Sequence, residues 1–318
     1  MPRLRVPELS PRAYRLITLF AVLMLAAIIV TGGSVRLTDS GLGCPDWPNC
    51  EPGSLTPRAA SDVNAMIEFV NRVFTGLVSV AVILAVLGSL ARVPRRRDLI
   101  WLSVGLVGGV FAQAVLGGLT VLFHLKPQFV MAHFLLSLVL LTNGVVLHRR
   151  AGQPDVPARP VVGPVAIVLG RVLLAAATVV VTTGTVVTGA GPHSGGGPED
   201  EVERLALRIP DVARVHGTSV VIFLALVLGT LFVLRRERAP ESAWRAGVVL
   251  LAVLVAQAGV GYAQYFNDIP ALLVGIHIAG ATAVWAAVVS FYLRLFERGA
   301  DVRMPVDTRL TEAAPALR

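Results

Sequence analysis

Eight stretches of the chain stay apolar for long enough to cross a bilayer, which takes roughly 20 residues of helix. They fall near 14–36, 66–91, 99–123, 128–148, 163–189, 211–234, 243–265 and 271–296, with polar, glycine-rich or charged connections between them. The pattern predicts an all-α integral membrane protein of eight transmembrane helices. The first run follows Arg3, Arg5 and Arg12, as a secretory leader would. It is longer than a leader's apolar core and no small-residue cleavage site follows it, so it reads as a retained helix. A weaker period lies ahead of the sixth run. Val202, Leu205, Ala206 and Ile209 recur at i, i+3, i+4 and i+7 and predict a short amphipathic helix lying on the outer interface.

The hydrophobic pattern also repeats. Ala112–His133 reads A-Q-A-V-L-G-G-L-T-V-L-F-H-L-K-P-Q-F-V-M-A-H, and Ala256–His277 reads A-Q-A-G-V-G-Y-A-Q-Y-F-N-D-I-P-A-L-L-V-G-I-H. Gln113 is as far from His133 as Gln257 is from His277, and a glycine stands four residues after each glutamine, Gly117 and Gly261. The fifth run ends T-T-G-T-V, echoing T-G-G-S-V at the end of the first. Two copies of one four-helix unit are therefore expected, arranged as pseudo-symmetric bundles. Their boundary falls at the polar, proline-rich linker A-G-Q-P-D-V-P-A-R-P, which divides the chain into 1–150 and 151–318.

Composition agrees with the membrane reading. Of 318 residues, 55% are hydrophobic and 15% charged, and the mean hydropathy is +0.72. Soluble chains carry about 25% charged residues. Arginines collect in alternate connections: Arg92, Arg95, Arg96 and Arg97, then Arg149 and Arg150, then Arg235, Arg236 and Arg238. The other connections are neutral or acidic, with Asp39, Asp46 and Glu51 in the first and Glu199, Asp200, Glu201 and Glu203 in the third. The positive-inside rule then places both termini in the cytoplasm of a plasma-membrane protein. The net charge of +8 is accounted for by this collar, so nucleic acid is excluded as a partner.

Candidate chemistry gathers near the outer ends of the helices. Cys44 and Cys50, the chain's two cysteines, share the first outer connection, on the oxidising side, which favours a disulfide. Such a short ring contributes about 2–3 kcal/mol in the chain-entropy model. Zinc is disfavoured, because no histidine or further cysteine lies nearby. The pair reads as a plain loop staple or as a redox-sensitive lid over a site below. Glu68 and Asn71, three residues apart on the second helix, share a face. Glu68 is either a solvated carboxylate at the positive end of a helix or one turned into the bundle, where ionisable groups usually have a role. Gly105, Gly108, Gly109, Gly117 and Gly118 crowd the third helix and suit close packing or room for a flat macrocycle. His148 and His193 read as solvated.

His216, the counterpart of Asn71, and His277, the counterpart of His133, both stand near the outer starts of their helices. Two neutral imidazoles on facing helices hold a haem iron from both sides and leave it no open position, so such a haem moves electrons. Gly259 and Gly261 would admit the ring. In the first half, asparagine is a poor iron ligand, which leaves His133 on one side and an open face near Glu68. The expectation is a closed electron-relay site in one half and an open reactive site in the other. Arg72 and Arg214, beside these positions, either snorkel or pair with propionate carboxylates.

These residues resemble those of the heme A synthases of the cytochrome oxidase assembly pathway. The likeness rests on T-G-G-S-V-R-L-T-D-S-G-L-G-C-P-D-W-P-N-C, on I-E-F-V-N-R in the second helix, and on His133, His216 and His277, and spans about 30–296. It implies haem b on His216 and His277, heme O as substrate with His133 as an axial ligand, and Cys44–Cys50 as a disulfide. The implied reaction oxidises the C8 methyl of heme O to a formyl group by successive hydroxylations, with water as oxygen source. Glu68 matches an essential glutamate that would stabilise developing positive charge or take up a proton. Many members carry E-x-x-H where this chain has Glu68-x-x-Asn71, leaving His133 as the one strong protein ligand to the substrate iron. A heme O synthase neighbour is implied, and a homo-oligomer is compatible. The rival readings are a dihaem b-type electron carrier linked to quinone, and a haem-handling or export protein.

Overall fold

The computed structural model describes residues 8–197 and 199–299; Arg3, Arg5 and the tail from residue 300 lie outside them. Eight helices carry the described chain: α1 (Pro11–Leu37), α2 (Val63–Ala91), α3 (Arg97–Leu122), α4 (Pro127–Ala151), α5 (Pro164–Ala190), α6 (Ile209–Arg236), α7 (Glu241–Phe266) and α8 (Ala271–Arg294). Each is long and apolar enough to cross a membrane. Several begin a few residues before the apolar run, because the capping residues are polar. Ser10 Oγ accepts the Ala13 N–H at 3.2 Å ahead of α1, and Asp62 Oδ1 accepts the Ala65 N–H at 3.0 Å ahead of α2. Proline opens α1, α4 and α5, where its missing N–H costs nothing.

The helices pack as two closed rings. In the first, α1 meets α2, α2 meets α3, α3 meets α4, and α4 returns to α1; in the second, α5 to α8 follow the same order. The rings join where α8 lies against α1 and α4, and α4 against α5. Trp285 of α8 spans this seam: its indole N–H reaches Thr142 Oγ1 at 2.8 Å and the Leu138 carbonyl at 3.1 Å, both on α4. Two-residue strands β1 (Arg159–Pro160) and β2 (Phe296–Glu297) pair antiparallel and tie the inter-ring linker to the end of α8. The ring order puts α2 opposite α4, and α6 opposite α8.

The duplication extends to backbone conformation. At the α3–α4 corner His124 and Leu125 take left-handed φ of 51° and 57°; at the α7–α8 corner Asp268 and Ile269 take 58° and 56°. Non-glycine residues pay about 1–2 kcal/mol for this region. Leu125 N–H bonds the Thr120 carbonyl at 2.8 Å and Ile269 N–H the Gln264 carbonyl at 2.9 Å. The same corner thus fixes the same spacing between each glutamine and its histidine.

Three expectations are corrected. Residues 202–208 form no helix: the Leu205 N–H bonds the Gly189 carbonyl at 3.0 Å and Arg204 the Pro192 carbonyl at 2.8 Å, so the segment folds onto the end of α5. His193 is half-buried, not solvated. Its Nε2 meets the Ile269 carbonyl at 2.8 Å, and its own carbonyl accepts from Arg36 Nε at 2.6 Å. His148 lies inside α4, half-buried, with Nδ1 3.1 Å from Thr18 Oγ1.

Candidate functional site

The second ring brings its two histidines together. His216 on α6 and His277 on α8 face each other across the diagonal, with ring centroids 6.4 Å apart and planes at 74°. Two imidazoles bound to one metal from opposite sides, each at about 2.0–2.1 Å, put their centroids roughly 6–6.5 Å apart. His216 Nδ1 sits 3.1 Å from the Val180 carbonyl and 3.2 Å from Thr183 Oγ1. A carbonyl only accepts, so Nδ1 carries the proton and the lone pair stands on Nε2, the form that ligates iron. His277 Nδ1 is buried with no partner among the described residues. Its backbone carbonyl accepts from Gln257 Nε2 at 2.8 Å, and a Cβ at Gly261 would come within 3.0 Å of its Cε1. Gly261 therefore seats the imidazole itself, while Gly259 faces open space. Arg214 is exposed on α6.

The first ring repeats half of this. Gln113 Nε2 donates to the His133 carbonyl at 3.2 Å. A Cβ at Gly117 would stand 3.3 Å from the His133 Cε1, and His133 Nδ1 is again buried without a partner. Opposite, on α2, is Asn71, whose Oδ1 is also buried and unpartnered among the described residues. Of the other α3 glycines, Gly105 and Gly109 are packed beneath Asn143 and Leu140, and Gly108 faces open space.

Over α2 lies the disulfide loop. Cys44 and Cys50 are bridged, their Cα atoms 4.2 Å apart, and both are fully buried. Trp47 covers Gly118 of α3, where a Cβ would come within 2.7 Å of the indole. Glu68 is 5% exposed, which removes the solvated-carboxylate reading. Its Oε2 accepts the Cys44 N–H at 2.8 Å, and its Oε1 pairs with Arg72 Nη2 at 2.5 Å. Arg72 does not snorkel. It donates to the carbonyls of Asp46 at 3.1 Å, Asn49 at 2.7 Å and Cys44 at 3.0 Å. These loop carbonyls and Glu68 consume its guanidinium, because a cation this deep needs oxygen partners on every side.

Sequence reasoning missed Thr183 and the carbonyl of Val180 as partners of His216, and gave Gln113 and Gln257 no role. The T-T-G-T-V echo contained the threonine, but nothing in the pattern aimed its hydroxyl.

The model of the cytochrome oxidase assembly proteins, COX15-CtaA, matches residues 15–192. The chain belongs to this family. The match runs from within α1 through α5 and so includes Cys44, Cys50, Glu68, Asn71 and His133. Among curated relatives, the heme A synthase of Caulobacter sp. (strain K31) is 27% identical over 333 residues, covering 87% of this chain and 94% of the relative. The heme A synthase of Exiguobacterium sibiricum is 30% identical over 147 residues, 45% of this chain and 49% of the relative. That of Lysinibacillus sphaericus is 33% identical over 121 residues, 37% and 38%. Against these last two, the chain spans about half or less of the relative's length.

Proposed function

We propose that this member of the cytochrome oxidase assembly family is a heme A synthase. It would oxidise the C8 methyl of heme O to a formyl group by successive water-dependent hydroxylations. The observation that carries the reading is the inequality of two otherwise duplicated sites. One ring presents paired imidazoles 6.4 Å apart; the other presents His133 opposite Asn71, with Glu68 buried beside it.

In this reading the half 151–318 holds haem b through His216 and His277, and the half 1–150 takes heme O. When bound, haem b accepts and passes single electrons. The work of the protein's own residues follows from their contacts. His216, held by Val180 and Thr183, keeps its lone pair outward. Gln113 and Gln257 brace the backbone carbonyls of His133 and His277, so each imidazole is fixed from behind. Glu68 is held by the Cys44 N–H and by Arg72. As a carboxylate it would place negative charge where positive charge develops on the methyl carbon, and would accept a proton from the attacking water. Trp47 and the bridged loop close the outer end against bulk water. The arginine-rich connections lie at the opposite end, which supports cytoplasmic termini and a plasma-membrane setting. An apolar substrate calls for a heme O synthase as neighbour in the same membrane.

Co-expression with a source of heme O, followed by mass spectrometry of extracted pigment, tests this. Heme A is the expected product. Haem b alone, reduced by quinol, would instead support an electron carrier.

A further inference from the structure

The cytoplasm-directed end of the first ring has a second feature, which does not depend on the reaction proposed above. A cavity of about 360 Å³ opens between the start of α1, the end of α2 and the end of α4. Arg12, Arg15 and Arg92 line it, together with Pro11 and the residues from Ala151 to Pro154. None of the three arginines forms an ion pair among the described residues. Neighbouring Arg96, by contrast, is held by Asp98 at 2.7 Å and Asp155 at 3.5 Å. Arg92 is only 5% exposed. One nitrogen donates to the Pro94 carbonyl, but its Nε is buried with no partner. A buried guanidinium without an anion is costly, and its planar fork is shaped for carboxylate or phosphate. Arg15 lies against Gly152, where even a Cβ would stand 2.9 Å from its Nε.

The duplicated fold supplies an internal reference. In the second ring the corresponding corner joins the start of α5 to the end of α6. There Glu237, the residue that caps α6, turns its carboxylate onto the Gly163 N–H at 2.9 Å. That corner carries its own anion beside the positive end of a helix. In the first ring the residue capping α2 is Arg92, so the same corner has cations on both sides of the gap, and the nearby carboxylates Asp98 and Asp155 are paired with Arg96 and Arg150.

We propose that Arg12, Arg15 and Arg92 form a binding site for a phosphate group, either the headgroup of an anionic phospholipid or a soluble phosphate compound. Basic pockets between helices at the cytoplasmic face have the chemistry to bind such headgroups, and the first turn of α1 adds its dipole.

The full-length protein, purified in zwitterionic detergent, is tested by native mass spectrometry with phosphatidylglycerol or phosphatidylcholine, and by thermal shift with inorganic phosphate. Arg12→Gln/Arg15→Gln alters two exposed side chains; Arg92→Gln is the deeper variant, and the exposed pair decides the matter if that one fails to fold. Arg235→Gln/Arg236→Gln at the same end of the second ring is the control. Phosphatidylglycerol retained over phosphatidylcholine, and weakened about tenfold or more in Arg12→Gln/Arg15→Gln but not in the control, supports the site with a lipid occupant. Stabilisation by inorganic phosphate, lost in the same variant, supports it with a soluble one. Binding of neither probe, or equal binding by wild type and Arg12→Gln/Arg15→Gln, overturns the proposal.

Discussion

The two rings answer the same architectural problem with different side chains at one position. Each has the same corner of left-handed residues, the same glutamine on the histidine's carbonyl, and the same glycine against the imidazole. They part company on the helix opposite. The second ring puts His216 there, its tautomer fixed by Val180 and Thr183. The first puts Asn71 there, and Glu68 one turn earlier is clamped beneath a disulfide loop that the second ring lacks. Duplication preserves the socket; divergence of one ligand and one loop separates electron storage from chemistry in the function proposed here.

The comparison is most severely tested by His277→Ala or His216→Ala. Either variant should lose essentially all low-spin haem b signal from the purified protein, because one imidazole cannot saturate both axial positions. Retention of an unchanged low-spin spectrum in both variants would break the comparison. Next in size is Glu68→Gln. Conversion of heme O should fall about 100- to 1,000-fold, the range for removing one preorganised charge-stabilising group, with haem b content unchanged. Loss of haem b in that variant would mean that Glu68 serves the fold and not the reaction.

Smaller and more diagnostic is the pair Asn71→Ala and Asn71→His. With heme O bound, the alanine variant should keep its iron spectrum, while His133→Ala should not. The histidine variant should convert the spectrum to a two-imidazole form and slow turnover, making the first site resemble the second. If Asn71→Ala loses ligation as completely as His133→Ala, the open-site reading fails. The smallest effect belongs to Thr183→Val. It removes one of two partners of His216 Nδ1 and should weaken haem b retention about tenfold, at the low end for an outer partner of a ligand. The corresponding position of the first ring is Gly32, where Gly32→Ser should leave haem b untouched.

Much of this molecule was legible in its residues. The eight apolar runs and the duplicated A-Q-A segments fixed helix number and internal symmetry, because bilayer thickness sets the length of a run and period survives in sequence. The ligand candidates His133, His216 and His277 were legible for the same reason, since an imidazole in an apolar helix stands out against its neighbours. Tertiary structure alone decided how they are served. Arg72 turns inward because loop carbonyls at 44, 46 and 49 happen to converge on it. His193 is drawn from solvent by a carbonyl at the α7–α8 corner of its own ring, and residues 202–208 forgo a helix as Leu205 N–H bonds the Gly189 carbonyl at the end of α5. Arg92 looks like one more member of an arginine collar until the fold buries it with its Nε unpartnered among the described residues. Hydrogen-bond partners far apart in the chain leave no local period. Sequence therefore names the groups that need a partner, and only the packed structure says which partner each one finds.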